Sequence, residues 1–457
     1  MKKYTPKNRG ELKRLVKNKN ISLSDIDISQ VKDLCYLFGK STRKDFSGIE
    51  SWDVSHVIDM SYMFENAKYF NANISSWNVK NVIDFSFMFR DCPFKQDVSK
   101  WSINTKAYSN YFFENYANFY SYLYKTKNKE ILGKIEFSKE KSQYIPKTNK
   151  ELAILILNEN IKLSMIDVTN ITNMDMIFYH STRKDFSGIE SWNVSNAVSM
   201  YKMFYKAKYF NSDISTWDTS SVENMEGMFE YAEIFNQNIS KWNTKKVKNM
   251  SFMFAGTKLF NQCIDTWNVG NVENMTGMFF CTKAFNQPLN SWNVGKVKNM
   301  DSMFCNAMSF DADIHSWDTK NVQNMESMFY DSIFNQPLDK WNVSKVKNMN
   351  RMFARTTKFN QPLNSWNVGK VKYMDSMFYG AEAFNQSLSN WNTQKLKDSS
   401  NMFTLASSFN QNLSSWNLGN IQRMSDMFAQ AKSFHQDITK WGKAWLSAKS
   451  SESKKYY

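Results

Sequence analysis

Large apolar side chains recur along this chain at a fixed step. Trp stands at 52, 77 and 101, then at 192, 217, 242, 267, 292, 317, 341, 366, 391, 416 and 441, a spacing of 25 residues with an occasional 24. A constant period of about 20–50 residues marks an array of repeats. One clean unit reads Trp267-Asn268-Val269, Val272, Met275, Met278-Phe279, Phe285-Asn286 and Leu289, and the next opens at Trp292. Val272, Met275, Met278 and Phe279 fall at i, i+3, i+6 and i+7, which predicts one apolar stripe along a helix. Leu289, Trp292 and Val294 are compact and β-compatible, with polar residues between them, and predict a short strand. Each unit is thus expected to be one short strand followed by one helix. Such a unit cannot bury its apolar face alone, and stacking it on its neighbours builds a continuous core. The expected fold class is an α/β repeat solenoid.

Departures from the pattern locate the ends of two arrays. Ile26-Asp27-Ile28, Val31, Leu34 and Leu37-Phe38 fit the unit with Ile in the Trp slot, and Ile166-Asp167-Val168, Ile171, Met174 and Ile177-Phe178 do the same. Both are followed by the segment STRKDFSGIESW, at 41–52 and 181–192. Upstream, Tyr4, Pro6, Lys7, Glu11 and Leu12 match Tyr144, Pro146, Lys147, Glu151 and Leu152, so all of these matches share an offset of 140. The chain is read as two capped arrays, since terminal repeats must shield the core and are atypical. The first spans 1–124 and holds a cap and about four units, with a degenerate last unit (Phe112-Phe113, Phe119) running into a closing cap at Tyr120, Tyr122 and Tyr124. Residues 125–143 read as a charged linker, 144–441 as the second array of a cap and about twelve units, and 442–457 as a C-terminal cap with a basic tail, Trp445 and Leu446 covering the last unit.

Composition now follows from the repeat: 15 Trp, 27 Met and 36 Phe in 457 residues are one core layer copied many times. Five Cys without a C-x-x-C pair read as free thiols and as no disulfide framework or zinc motif. No apolar run approaches the length of a membrane-spanning helix. The start of the chain, Met1-Lys2-Lys3-Tyr4-Thr5-Pro6-Lys7, lacks the apolar core of a secretory signal and a lipobox Cys, so the expected location as written is cytoplasmic. Of the net charge of +15, residues 1–150 carry most, with 26 Lys and Arg against 16 Asp and Glu. That excess lacks any nucleic-acid-binding motif and reads as a solvated, repulsive surface.

The unit W-N-V-S-x-V-x-N-M-x-x-M-F-x-x-A-x-x-F-N-Q resembles the BspA-like leucine-rich repeats of bacterial surface proteins, in the variant known as the mycoplasma lipoprotein-associated repeat. The likeness extends over nearly the whole chain, apart from the linker and the tail. It implies a curved, leucine-rich-repeat-like solenoid and a role in adhesion or binding, often at the cell surface, with no enzyme activity and no fixed binding residues.

The recurring polar and aromatic rows have structural explanations. Asn follows Trp at 78, 193, 243, 268, 293, 342, 367, 392 and 417, and follows Phe at 71, 211, 236, 261, 286, 335, 360, 385 and 410. Both rows are expected to be ladders whose amides bond turn backbone and each other between units. The Trp row is expected in the core rather than as a sugar-stacking platform. Asp311, Asp313 and His315 have alternating, ligand-like spacing, but no other unit repeats the trio and it reads as chance. His56, His180, His315 and His435 lie far apart in sequence, and no phosphate loop, nucleophile elbow or metal motif accompanies them. No cofactor is expected.

One surface row stands out. The position six residues after Trp runs Glu223, Lys248, Glu273, Lys298 and Gln323, alternation that predicts weak pairing between units. Beyond it, Lys345 and Lys347, Lys370 and Lys372, and Lys395 and Lys397 stack three basic pairs. This is the candidate partner-binding stripe, for a protein or glycan ligand. Near-identical segments, FNQPLNSWNVGKVK at 285–298 and 359–372, suggest repeats copied by recombination, which suits a variable binding surface. The functional expectation is a non-enzymatic, macromolecule-binding repeat protein of bacterial adhesion or host-surface contact. The alternative is an intracellular protein–protein interaction scaffold or regulatory module.

Overall fold

The computed structural model describes residues 2–101 except 86, 97, 99 and 100, and residues 135–442. The degenerate unit and closing cap expected at 102–124, the linker before 135 and the tail with Trp445 and Leu446 lie outside the described residues. The chain forms two compact units, residues 1–135 with 153–160 and residues 136–152 with 161–457.

The repeat places its apolar residues inside, as the pattern requires. Val272, Met275, Met278, Phe279, Phe285 and Leu289 are all fully buried, and every described Trp keeps 7% exposure or less. Their path through the core differs from the expected one. Among the described residues the helices are α1 (Arg9–Lys17), α2 (Asn149–Leu157) and single 3-10 turns, none of them in the Met-x-x-Met-Phe segment. That segment is instead a chain of overlapping turns. The N–H groups of Met278, Phe280 and Thr282 donate to the carbonyls three residues back, at 3.2, 3.0 and 3.2 Å. The alternate N–H groups, on Met275, Gly277, Phe279 and Cys281, donate to Asn299, Asp301, Met303 and Cys305 of the next unit. An α-helix satisfies its donors internally, four residues back, whereas this backbone exports every second one to its neighbour. The path requires two left-handed residues per unit, Gly277 (φ 57°) and Cys281 (φ 56°) here, a conformation that ends a helix. The apolar spacing of three and four is common to both geometries, which is why the stripe is real and the helix is not.

The expected strand is displaced as well. Leu289, Trp292 and Val294 are buried, but Trp292 N–H closes a turn on the Leu289 carbonyl. Units pair instead through single parallel bridges just before the first Met, running Asn224–Asn249–Asn274–Asn299–Asn324–Asn348. The strands among the described residues are β1 (Glu136–Ser138) and β2 (Gln143–Ile145), an antiparallel hairpin at the end of the charged 125–143 segment. The protein is therefore a repeat protein built of stacked turn units.

Aromatic columns run through the stack. Trp217, Trp242 and Trp267 lie with ring centroids 6.4 and 6.3 Å apart and planes within 4°. Beside them Phe229–Phe254 and Phe235–Phe260 pair at 5.8 and 5.9 Å. Such pairs contribute about 0.5–1.5 kcal/mol each beyond their burial. Each indole N–H reaches back a full unit: Trp267 donates to Ile239 O at 2.9 Å and Trp292 to Ile264 O at 3.0 Å. The indole polar atom is thus satisfied in the core, and the row presents no open aromatic platform.

The residues repeated at an offset of 140 make repeated contacts. Asn8 caps α1 by accepting the Glu11 N–H, and the Glu11 carboxylate accepts the Lys7 N–H at 2.9 Å, as Glu151 accepts that of Lys147 at 2.7 Å. Arg43 is buried and donates to the carbonyls of Val16, Asn18, Ile21 and Asp45. Arg183 likewise donates to Ile161 and Asp185. Gly48 and Gly188 adopt φ of 91° and 92°, and a Cβ on either would lie 2.4 Å from the backbone N of Ser24 or Ser164. Only Gly meets both demands.

Candidate basic stripe

The two Asn rows serve different ends. The Asn after Trp turns inward on its own unit: Asn268 Oδ1 accepts Gly270 N–H at 3.1 Å and Asn293 Oδ1 that of Gly295 at 3.1 Å. The Asn after Phe joins units. Asn236 N–H donates to Asn211 Oδ1 at 2.9 Å, Asn261 to Asn236 at 3.0 Å and Asn286 to Asn261 at 3.0 Å. Asp311 continues this ladder, donating to Asn286 at 2.9 Å and accepting from Asn335 at 2.8 Å. Within the Asp311, Asp313 and His315 spacing, Asp311 is a rung of this ladder, and His315 Nδ1 lies 2.7 Å from Asp313 Oδ1. Asn286→Ala leaves the Asp311 N–H without its acceptor, and a loss of about 1 kcal/mol is expected. Urea unfolding followed by Trp fluorescence measures it, and an unchanged midpoint would show that water replaces the rung.

Asp33, Cys35 and Asp59 bring ligand atoms within 4.8 Å of one another. Arg9 already pairs with Asp33 at 3.1 Å, and the two carboxylates accept the N–H groups of Cys35 and Ser61. All five Cys are free thiols. Burial pushes Cys92 and Cys305 up to about 12, which holds both as unreactive thiols.

The charged row six residues after Trp is a true neighbour row. Backbone bonds link Glu223, Lys248, Glu273, Lys298, Gln323, Lys347, Lys372 and Lys397 in order, each N–H donating to the previous carbonyl at 2.8–2.9 Å. In its first half the charges cancel in pairs. Lys248 Nζ lies 2.6 Å from Glu223, and Lys298 Nζ 2.6 Å from Glu273. The hydrogen bond and charge of the partner Lys hold both carboxyls below the usual range.

The second half has no such compensation. Lys347, Lys372 and Lys397 stand on consecutive units, with Lys345, Lys370 and Lys395 two residues before them. Five are exposed and Lys397 is half-buried. Lys345 Nζ meets Asn321 Oδ1 at 2.6 Å and Lys347 Nζ meets Gln323 Oε1 at 3.4 Å. Among the described residues none of the six joins an ion pair. Neighbouring units in a parallel ladder stand about 4.8 Å apart, so the six ammonium groups form one dense positive strip. Tyr373, which the sequence pattern did not single out, is exposed within the strip and bridges to Asn348 and Asp398. Its signal was available: it interrupts the row Asn224, Asn249, Asn274, Asn299, Asn324, Asn348.

Searches of curated proteins and of solved structures return no match. A family described as "Mycoplasma protein of unknown function, DUF285" matches residues 11–126, 151–254, 234–333 and 331–441. These four matches take in most of the chain and both sets of repeats, and the protein belongs to this Mycoplasma repeat family.

Proposed function

We propose that this is a non-enzymatic, macromolecule-binding repeat protein of adhesion or host-surface contact, whose basic stripe engages an acidic protein or acidic glycan. The carrying observation is the stripe itself. Six lysines on three consecutive units lack acidic partners, while the same row one array-half earlier is neutralised pair by pair. Like charges held this close repel one another, and an anionic partner relieves that repulsion. The copied repeats, which suit a variable binding surface, support the adhesive setting, and the repeated W-N-V…M-F…F-N-Q motif supports the BspA-like reading of the unit. The non-enzymatic reading draws on three histidines engaged in structural contacts: His56 faces the Ile28 carbonyl, His435 the Asn410 amide and His315 its own Asp313.

The test uses the full chain with heparin and with poly-L-glutamate as probes. Replacing Lys345, Lys347, Lys370, Lys372, Lys395 and Lys397 by Gln is expected to weaken binding at least tenfold. Wild-type affinity is expected to fall steeply between about 50 and 300 mM salt. Equal binding by the two proteins, or no binding of either probe at low salt, sinks the proposal.

A further inference from the structure

A second surface lies in the second unit of the chain, lined by none of the stripe lysines. An open trough of about 700 Å³ runs along five consecutive repeats, from Asp331 to Lys432. This is within the size range of ligand sites. Two sequence features create it. Gly380 occupies the second left-handed position of its repeat, where the adjacent repeats carry Arg355 and Leu405, so the wall loses one side chain at the middle. In addition, the repeat from Trp317 to Trp341 is one residue short. Only Ser332 and Ile333 separate Asp331 from Phe334, whereas Ala307, Met308 and Ser309 separate Asn306 from Phe310. The side row that forms the other wall therefore starts afresh at Thr357.

The charges of the trough are balanced but not paired. Asp331 and Glu382 face it with Arg355 and Lys432, two of each sign. Earlier in the same side row Lys258 and Glu233 stand on adjacent repeats and pair at 2.6 Å. Here Ser407 separates Glu382 from Lys432, so the two carriers are two ladder steps, about 10 Å, apart. Among the described residues, none of these four side chains joins an ion pair. The lining thus offers separated acceptors and donors with no net charge, together with the Tyr379 ring.

We propose that this trough binds an uncharged oligosaccharide strand laid along the repeat axis. A polyanion or polycation gains nothing from a lining of zero net charge. A sugar hydroxyl donates and accepts at once, so it can meet Asp331 and Glu382 with its proton and Arg355 and Lys432 with its lone pairs. The Tyr379 ring offers an apolar face to the C–H side of a pyranose. An extended peptide would require pockets for alternate side chains, and the trough is open along its length. The inference is independent of the basic stripe.

The experiment presents full-length protein with the uncharged hexasaccharides of 1,4-linked glucose and N-acetylglucosamine, and with an uncharged hexapeptide, in high salt to silence the stripe. Saturation-transfer NMR and calorimetry read the binding. The expected result is hexasaccharide binding with a dissociation constant below about 1 mM, weakened at least tenfold in Glu382→Gln and in Gly380→Leu. Leu405 already adopts this left-handed position one repeat on, so Gly380→Leu fills the trough with a residue the fold accommodates, and an unchanged melting temperature verifies this. Absence of binding by every hexasaccharide overturns the proposal. So does equal binding by wild type and a folded Gly380→Leu protein, or preference for the peptide. Binding lost on neutralising the six stripe lysines but kept in Gly380→Leu also overturns it.

Discussion

Met275→Asp is expected to destabilise its array by about 3–5 kcal/mol, the cost of an unpaired charge buried without a partner. The Met275 side chain has no exposed surface, and its backbone N–H holds the carbonyl of Asn299 in the next repeat. The carboxylate would stand in a repeat whose Met278, Phe279 and Phe285 are fully buried as well. Because each repeat is stabilised mainly by its two neighbours, the lesion falls on two interfaces at once and separates the array into shorter blocks. The expected thermal melt is shifted far down and broadened, and Trp fluorescence shows two phases in place of one. Met275→Leu serves as the control, since a volume-conserving apolar exchange costs less than about 1.5 kcal/mol. A Met275→Asp protein that melts like wild type would place this residue outside the core.

The same residue shows what the sequence can and cannot reveal. That Met275, Met278 and Phe279 share the interior was legible, because burial depends only on spacing. That the backbone between them forms turns was not, because the spacing of a helix and of successive turns is the same. The distinguishing feature is the pair of left-handed residues in each repeat, and its chemistry is disguised. Gly fills it at 227, 256, 277 and 380, but Lys202, Tyr231, Phe252, Arg351 and Leu405 fill it elsewhere. These residues carry no turn signature, and the exported hydrogen bonds to the next repeat hold them there. The Asn ladder after Phe was legible for the opposite reason: a rung must be a short amide or acid, and the slot holds Asn or Asp from 211 to 410. The stripe was legible as a run of Lys, while its lack of acid partners required the structure. The trough was not foreseen, although Gly380 and the missing residue before Phe334 were both in view.

Glu230→Gln is expected to make the protein more stable above neutral pH and to leave it unchanged in acid. Glu230 is largely buried, its side chain 13% exposed, and its Oε2 has no hydrogen-bond partner. Lys202 Nζ stands 3.8 Å away, an ion-pair distance too long for a hydrogen bond. Burial pushes the carboxyl up to about 7; the attraction of Lys202 and Lys206 opposes this, and the charge of Glu226 adds to it. A carboxyl raised in the folded state binds its proton more tightly there than in the unfolded chain, where it titrates near 4.5. The folded state therefore suffers no penalty below about pH 4.5, loses stability as the pH rises from there to about 7, and stays penalised above. At about 1.4 kcal/mol for each pH unit of that interval, the full penalty is about 3 kcal/mol. The Gln side chain carries no charge to desolvate, so the stability difference between the two proteins should grow from near zero at pH 4 to about 2–3 kcal/mol at pH 8. Glu273→Gln is the counter-case, because its exposed carboxyl is held low by Lys298 and its loss should bring no gain at high pH. Urea titrations across pH 4–8 measure both. Groups common to the two proteins cancel in the difference, so a flat difference curve for Glu230→Gln would mean that the buried carboxyl is solvated by a rearrangement of Lys202.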